Sequence, residues 1–288
     1  MSPSRRRAIL FVLGAALLYA CAAACVKALG GALPLAMVVL FRSLFALPVL
    51  LPLLLRSGLA GLATRRPGGH ALRIGFGLIG MAATFHGLAT LPIATVTALG
   101  FTMPLFLVLL SRPVLGEPVS PARAAAALAG FIGVLLILRP GLGAAGHGLD
   151  YAIVLGGALA WALAMMTIRR LGEAGEPATT IVLWFAIGGS VVAAVFALPV
   201  WIWPDPRQWA LLIGAGLLSG AAQLLMTEAY RSAETALIAP FEYSGILWTG
   251  ALGLLIWAEA PDPLDAAGIA ILIGCGVALW RLEARPAR

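Results

Sequence analysis

A chain of 288 residues that is 61% hydrophobic and 11% charged, with a mean hydropathy of +1.01, lies outside the composition of soluble globular proteins. Its formal charge of +7 arises from 19 Lys and Arg set against 12 Asp and Glu. Most of these basic residues sit between apolar runs or at their ends, so they read as a topology signal and an anionic-lipid contact, not as a nucleic-acid footprint.

Taken in chain order, ten apolar stretches are long enough to cross the ~30 Å hydrocarbon core as helices. They are 8–29, 34–55, 71–90, 94–111, 121–138, 151–168, 179–200, 208–227, 236–257 and 264–281. No ten-residue alternation points to a barrel. Helices satisfy their own backbone groups, which is what lipid demands. The fold expected is therefore an all-α membrane protein. The connections are short, and no polar run could form a separate soluble domain. Arg5-Arg6-Arg7 before the first stretch fits a signal-peptide n-region, and Leu18-Tyr19-Ala20-Cys21 resembles a lipoprotein cleavage site. That segment has an internal copy, so it reads as part of the fold.

The copy lies 142 residues on. Leu13-Gly14-Ala15-Ala16-Leu17-Leu18-Tyr19-Ala20 recurs as Leu155-Gly156-Gly157-Ala158-Leu159-Ala160-Trp161-Ala162. The same offset carries Lys27 to Arg169, Ala94 to Ala236 and Glu117 to Glu259. One spacing that holds near both ends argues for duplication into units 1–142 and 143–288. With the N-terminus in the cytoplasm, the inner side receives most arginines, among them Arg5, Arg65, Arg66, Arg73, Arg112, Arg169, Arg170 and Arg285. The outer side receives Lys27, Arg139 and Arg207, and collects Asp150, Asp205, Glu259, Asp262 and Asp265. The positive-inside rule then gives N-in and C-in. Five crossings per unit is an odd number, so the second unit enters the membrane upside down: two inverted five-helix repeats, a construction of secondary transporters.

The stretch from Leu91 to Leu138 and its partner from Ala233 to Leu279 share a small-residue start (Ala94, Ala98; Ala236, Ala239), a mid-helix proline (Pro104; Pro240) and a Gly116-Glu117 or Ala258-Glu259 close. With Phe41-Arg42 in the second stretch, this pattern resembles the EamA family of the drug/metabolite transporter superfamily. The resemblance covers essentially the whole chain. It implies ten helices, a central cavity between the halves and alternating access. Relatives are associated with amino acids, vitamins, nucleotide-like metabolites, polyamines and drugs. The Phe41-Arg42-Ser43-Leu44-Phe45 type also looks like relatives linked to uptake of riboflavin or S-adenosylmethionine.

An ionisable residue at bilayer depth is expensive, about 2.5–3.5 kcal/mol for Arg, Lys or Asp on the insertion scale, and function is its default reading. Glu242, in Pro240-Phe241-Glu242-Tyr243, is a candidate for binding a cationic group or carrying a proton; a fixed partner for Arg42 is the alternative. Arg42 itself reads as a structural ion pair or as an anion site. His86 is a proton relay, a ligand contact or a packing histidine. Tyr19 and Trp161 are repeat equivalents, and helical rise puts both near the midplane, where such transporters bind substrate. Thr84 and Gln223 bond either a ligand or a neighbouring helix. Tyr243 and Trp248 are further wall candidates, and Pro104 and Pro240 are helix irregularities near the gates. Trp201, Trp203 and Trp209 read as an interfacial belt.

Other motifs fail on context. Gly75-Phe76-Gly77-Leu78-Ile79-Gly80 matches G-x-G-x-x-G but lies inside an apolar span, so close helix packing explains it better, as it does Gly216-x-x-x-Gly220. Cys21, Cys25 and Cys275 lack redox or zinc spacing. No Walker motif, metal-ligand set, cofactor fingerprint or catalytic triad is found. An intramembrane enzyme lacks its nucleophile–base pair, and a structural or sensory subunit needs no inverted repeat around polar groups. The reading is a secondary transporter of a small organic metabolite, possessing no cofactor, in a bacterial inner membrane. Proton coupling and the choice between monomer and homodimer are left open.

Overall fold

The computed structural model describes residues 3–58, 63–110, 148–232, 244–260 and 262–283, with isolated positions between 121 and 136. Among the described residues every regular element is helical. The helices are α1 (Pro3–Ala28), α2 (Leu35–Ser57), α3 (Pro67–Thr90), α4 (Ile93–Gly100), α5 (Met103–Leu110), α6 (Gly148–Glu173), α7 (Ala178–Ala197), α8 (Pro206–Ser232), α9 (Ser244–Trp257) and α10 (Pro263–Glu283). Six spans among them are long and apolar enough to cross a membrane: Ile9–Ala28, Leu35–Pro52, Pro67–Thr90, Gly148–Glu173, Thr180–Val200 and Pro206–Met226. The expected fifth stretch, 121–138, and the start of the ninth lie mostly outside the described residues.

The fourth expected stretch is not one helix but two. The break falls at Phe101–Thr102, where the Thr102 hydroxyl donates to the Leu99 carbonyl at 2.6 Å and the Phe101 N–H is shared between the Thr97 and Ala98 carbonyls. Pro104 follows in the first turn of α5, where a missing N–H costs nothing. The third stretch also starts earlier than expected, at Pro67 rather than residue 71. That shift carries Arg73 from the membrane edge into the helix.

The direction of each helix follows from its end contacts. His86, late in α3, meets Asp150, early in α6; Thr64, just before α3, and His70, in its first turn, meet Glu176, just past the end of α6. Hence α3 and α6 are antiparallel. Lys27, at the end of α1, reaches the Leu91 carbonyl at the end of α3, so α1 and α3 point the same way. It follows that α1 and its repeat equivalent α6 run in opposite directions, which is the inversion that an odd number of crossings requires. The packing obeys the same exchange. The α1–α8 contact, with Gly14 against Leu225, recurs as the α6–α3 contact, with Gly157 against Ala83. Similarly, α2 packs on α8 through Gly220 and Val49, and α7 packs on α3 through Gly189 and Leu78. Between α2 and α7, which are each other's equivalents, Ser43 faces Gly189.

The core lies between α1, α2, α3, α4 and α8, where Met37, Leu88, Ile93, Leu99 and Leu212 are fully buried. Of the expected aromatic belt, Trp203 is 78% exposed, as a lipid-facing ring should be. Trp201 and Trp209 instead clasp Phe41, with ring centroids 5.5 and 4.8 Å away, because the start of α8 folds over α2. They are half-buried packing residues.

Two polar clusters tie the bundle ends. At the arginine-rich end, Glu176 accepts from the Thr64 hydroxyl at 2.7 Å and the Arg65 N–H at 3.0 Å, and its second oxygen lies 3.3 Å from His70 Nε2. The Thr64 hydroxyl, then the Arg65 N–H and His70, hold the Glu176 carboxyl below the usual carboxylate range, against the opposing effect of desolvation. A depressed folded-state pKa adds stability above the unfolded value and loses it as pH falls through the folded one. The Glu176→Gln variant is therefore expected to melt below wild type at neutral pH and to converge with it in acid, a comparison readable from melting curves in detergent. At the acidic end, α9 closes on Glu259, whose N–H bonds the Gly253 carbonyl while Ala258 takes a φ of 55°. This is a left-handed helix stop normally given to glycine, and the repeat equivalent of Ala258 is Gly116.

Candidate functional site

Half-way along the bundle, polar groups from both repeats converge. Tyr19 on α1 donates its hydroxyl to Gln223 Oε1 on α8 at 2.8 Å, across 204 residues of sequence. Two arginines lie near this bond. Arg42 on α2 directs Nη1 to Met81 Sδ on α3 at 3.6 Å, a weak acceptor and its one hydrogen-bond partner among the described residues. Arg73 on α3 is 6% exposed, and its Nε and Nη1 have no hydrogen-bond partner among the described residues. Each guanidinium lies within electrostatic range of the Tyr19 phenol, and the two repel one another.

Local sequence explains how Arg73 is housed. Residues 73, 77, 80 and 84 fall on one face of α3 at helical spacing. The guanidinium lies along this face, beside Gly77, where any Cβ would collide with it and with the Phe185 ring. It stands 4.0 Å over the Phe185 centroid on one side and 5.8 Å from that of Trp161 on the other. Gly80 takes the Trp161 indole, whose atoms lie 2.8–2.9 Å from where a Cβ would be. Two glycines of the declined motif thus make room for a cation and for the indole beside it. Cation–π contact offsets part of the desolvation, but it leaves the N–H donors unmet.

The other sequence candidates are dispersed. His86 Nε2 lies 2.7 Å from Asp150 Oδ1, an ion-pair geometry near the acidic end and outside the cluster. The Thr84 hydroxyl donates to the Gly80 carbonyl of its own helix at 2.8 Å. Trp161 is in the cluster; Trp248, on α9, is 39% exposed and is not. Pro104 lies at the α4–α5 break. Pro240, Glu242 and Tyr243 lie outside the described residues. Of the Tyr19–Trp161 pair, Tyr19 bonds Gln223 and Trp161 lies beside Arg73.

Arg73 is the residue that sequence reasoning misplaced. Its proximity to a basic loop made it an inner-face charge, whereas α3 begins six residues before it. The signal was present: an arginine followed on its own helical face by glycines at i+4 and i+7 has space reserved for it. At 1.5 Å per residue, Gly77 and Met81 lie ~15 and ~21 Å along a helix of ~36 Å. Both guanidinium groups therefore sit near mid-depth.

The comparisons agree with this architecture. A family model described as the EamA-like transporter family matches residues 6–139 and 149–281, one match per repeat. The chain is 34% identical to a riboflavin transporter of Rhizobium johnstonii over 85% of its length and 80% of the relative's. It is 30% identical to the pseudopaline exporter CntI of Pseudomonas aeruginosa over 90% and 91%, and 28% identical to an S-adenosylmethionine uptake transporter of Rickettsia prowazekii over 82% and 79%. A solved crystal structure with 23% identity superposes with a TM-score of 0.70, covering 98% of this chain and all of the other, which supports the fold. With a two-repeat, all-helical bundle and transporter relatives along its length, this multi-pass membrane chain belongs to the EamA-like transporter family.

Proposed function

We propose that the chain moves a small organic metabolite by alternating access, with the mid-depth cluster as the substrate site. The observation that carries this reading is the Tyr19–Gln223 bond, which joins the two repeats near the depth of Arg42, Arg73 and Trp161. Rocking of one unit, 1–142, against the other, 143–288, would expose that point to one face at a time. The arginine-rich end is assigned to the cytoplasm of a bacterial inner membrane, giving N-in and C-in. Glu242 is retained as the candidate proton or charge carrier, and Pro104 and Pro240 as gate irregularities.

A second reading narrows the solute to a flat heteroaromatic metabolite taken up by the cell. The Trp161 and Phe185 rings beside the cluster favour it, as do relatives named for riboflavin and S-adenosylmethionine. Purified protein in proteoliposomes tests both readings with labelled riboflavin, S-adenosylmethionine and a panel of amino acids. Flux of at least one solute is expected. For that solute the Tyr19→Phe and Gln223→Leu variants should each slow transport about fivefold to tenfold, as loss of one hydrogen bond near 1 kcal/mol implies. Absence of flux for every solute would overturn the proposal.

A further inference from the structure

We infer that Arg42 and Arg73 together bind an oxyanion, a carboxylate or phosphate group carried by the transported solute. The inference deepens the transporter reading and rests on it. Arg73 presents three N–H bonds, on Nε and Nη1, that are buried and unpartnered among the described residues, and arginine cannot shed its charge to escape that cost. Arg42 meets a thioether sulfur. Along α3 the two heads are one turn apart: Arg73 lies at Gly77 and Arg42 at Met81. Four residues of rise separate them by ~6 Å along the axis. Among the described residues no carboxylate bonds either one. Two like charges held this closely in an apolar bundle repel, and a bound anion would satisfy both at once.

Aromatic packing fixes the orientation. Phe185 and Trp161 border the Arg73 guanidinium, and the missing Cβ atoms of Gly77 and Gly80 let the guanidinium and both rings lie close against α3. The Tyr19–Gln223 pair adds neutral polar groups to the same neighbourhood. A solute with a planar body and an acidic substituent fits this set: rings for the body, arginines for the acid.

Full-length protein in detergent, stripped of anionic lipid, gives the test. The probes are inorganic phosphate against chloride at matched ionic strength, and riboflavin 5′-phosphate against riboflavin, a pair differing in one phosphate. Phosphate should raise the melting temperature more than chloride does, and the phosphate ester should bind more tightly than the neutral ring. Arg73→Gln and Arg42→Gln should each weaken ester binding about tenfold to a hundredfold and shrink the preference for the ester over the neutral ring by a similar factor. Arg73→Lys should restore part of the loss, which a purely structural role would not give. Equal affinity for ester and neutral ring, or the same preference in both Gln variants, would overturn the inference. Protection by phosphatidylglycerol alone would also overturn it, since the anion would then be a lipid headgroup. So would anion binding that emerges only in Glu242→Gln, since the chain's own carboxylate would then be the counter-ion. Should the anion site fail while neutral riboflavin still crosses proteoliposomes, the transporter reading stands; should anions bind with no solute crossing, that reading fails alone.

Discussion

Replacing Lys27 with methionine is expected to open the acidic end of the bundle. Lys27 Nζ lies 2.8 Å from Glu259 Oε1 and donates to the Leu91 carbonyl at 2.8 Å, and it stands over the Trp257 ring at 5.5 Å. The second Glu259 oxygen accepts the Ile93 N–H at 3.1 Å. One ammonium therefore joins the end of α1 to the α3–α4 turn and, through Glu259, to the end of α9. The two side chains are 10% and 22% exposed. Removing one partner of a fully buried pair costs ~3–5 kcal/mol. With part of this pair solvated, ~2 kcal/mol is a reasonable scale, which is roughly a thirtyfold shift in a two-state equilibrium. The closed acidic end loses that stabilisation, so the bundle should populate the form open at that end. Labelling of a cysteine at mid-depth by a reagent added at the acidic end should accelerate accordingly. An unchanged labelling rate would mean that the latch does not govern opening.

Gly216→Val is expected to prevent assembly of the folded bundle. A Cβ at Gly216 would meet the Cβ, Cα and carbonyl carbon of Phe45 on α2, the last two at 3.0 Å. Backbone cannot swing away as a side-chain tip can. The α2 and α8 helices would have to separate, and the neighbouring close approach of Gly220 to Val49 and the Ala46 carbonyl would be lost with them. Overpacking of a flexible core costs ~1–3 kcal/mol, and a rigid backbone clash should exceed it. The control is Gly75→Ala, where the new Cβ meets nothing within 4 Å and helix propensity favours alanine by up to about 1 kcal/mol. Melting curves in detergent should show Gly75→Ala at or above wild type, and Gly216→Val should yield no cooperative transition.

Much of the architecture was legible because lipid imposes strict rules. The 142-residue offset was visible in Leu13–Ala20 and Leu155–Ala162, and the odd number of crossings per unit implied inversion. The contacts of Gly14 with Leu225 and Gly157 with Ala83 show that exchange in three dimensions. Packing at Gly216 and Gly220 followed from small residues spaced four apart. What the residues did not disclose was pairing at long range. Tyr19 and Gln223 were separate candidates until α1 was laid antiparallel to α8. His86 gave no sign that its partner would be Asp150, because each is ordinary in its own helix. Arg73 was missed because periodicity fixes a helix face better than a helix start, and a start four residues earlier turned an edge charge into a buried one. Glu242, the acidic candidate, lies outside the described residues.

Alternating exposure of the mid-depth cluster is tested most directly with a single cysteine at position 84, on the α3 face that carries Arg73 and Trp161's glycine, in a variant with Cys21, Cys25 and Cys275 replaced by alanine. The protein is reconstituted in one orientation in sealed liposomes, and a membrane-impermeant thiol reagent is added to either side. Labelling from both sides is expected, with Lys27→Met raising it from the acidic end and lowering it from the arginine-rich end. Labelling from one side only, unmoved by Lys27→Met, would contradict a carrier built from two inverted repeats around a shared site.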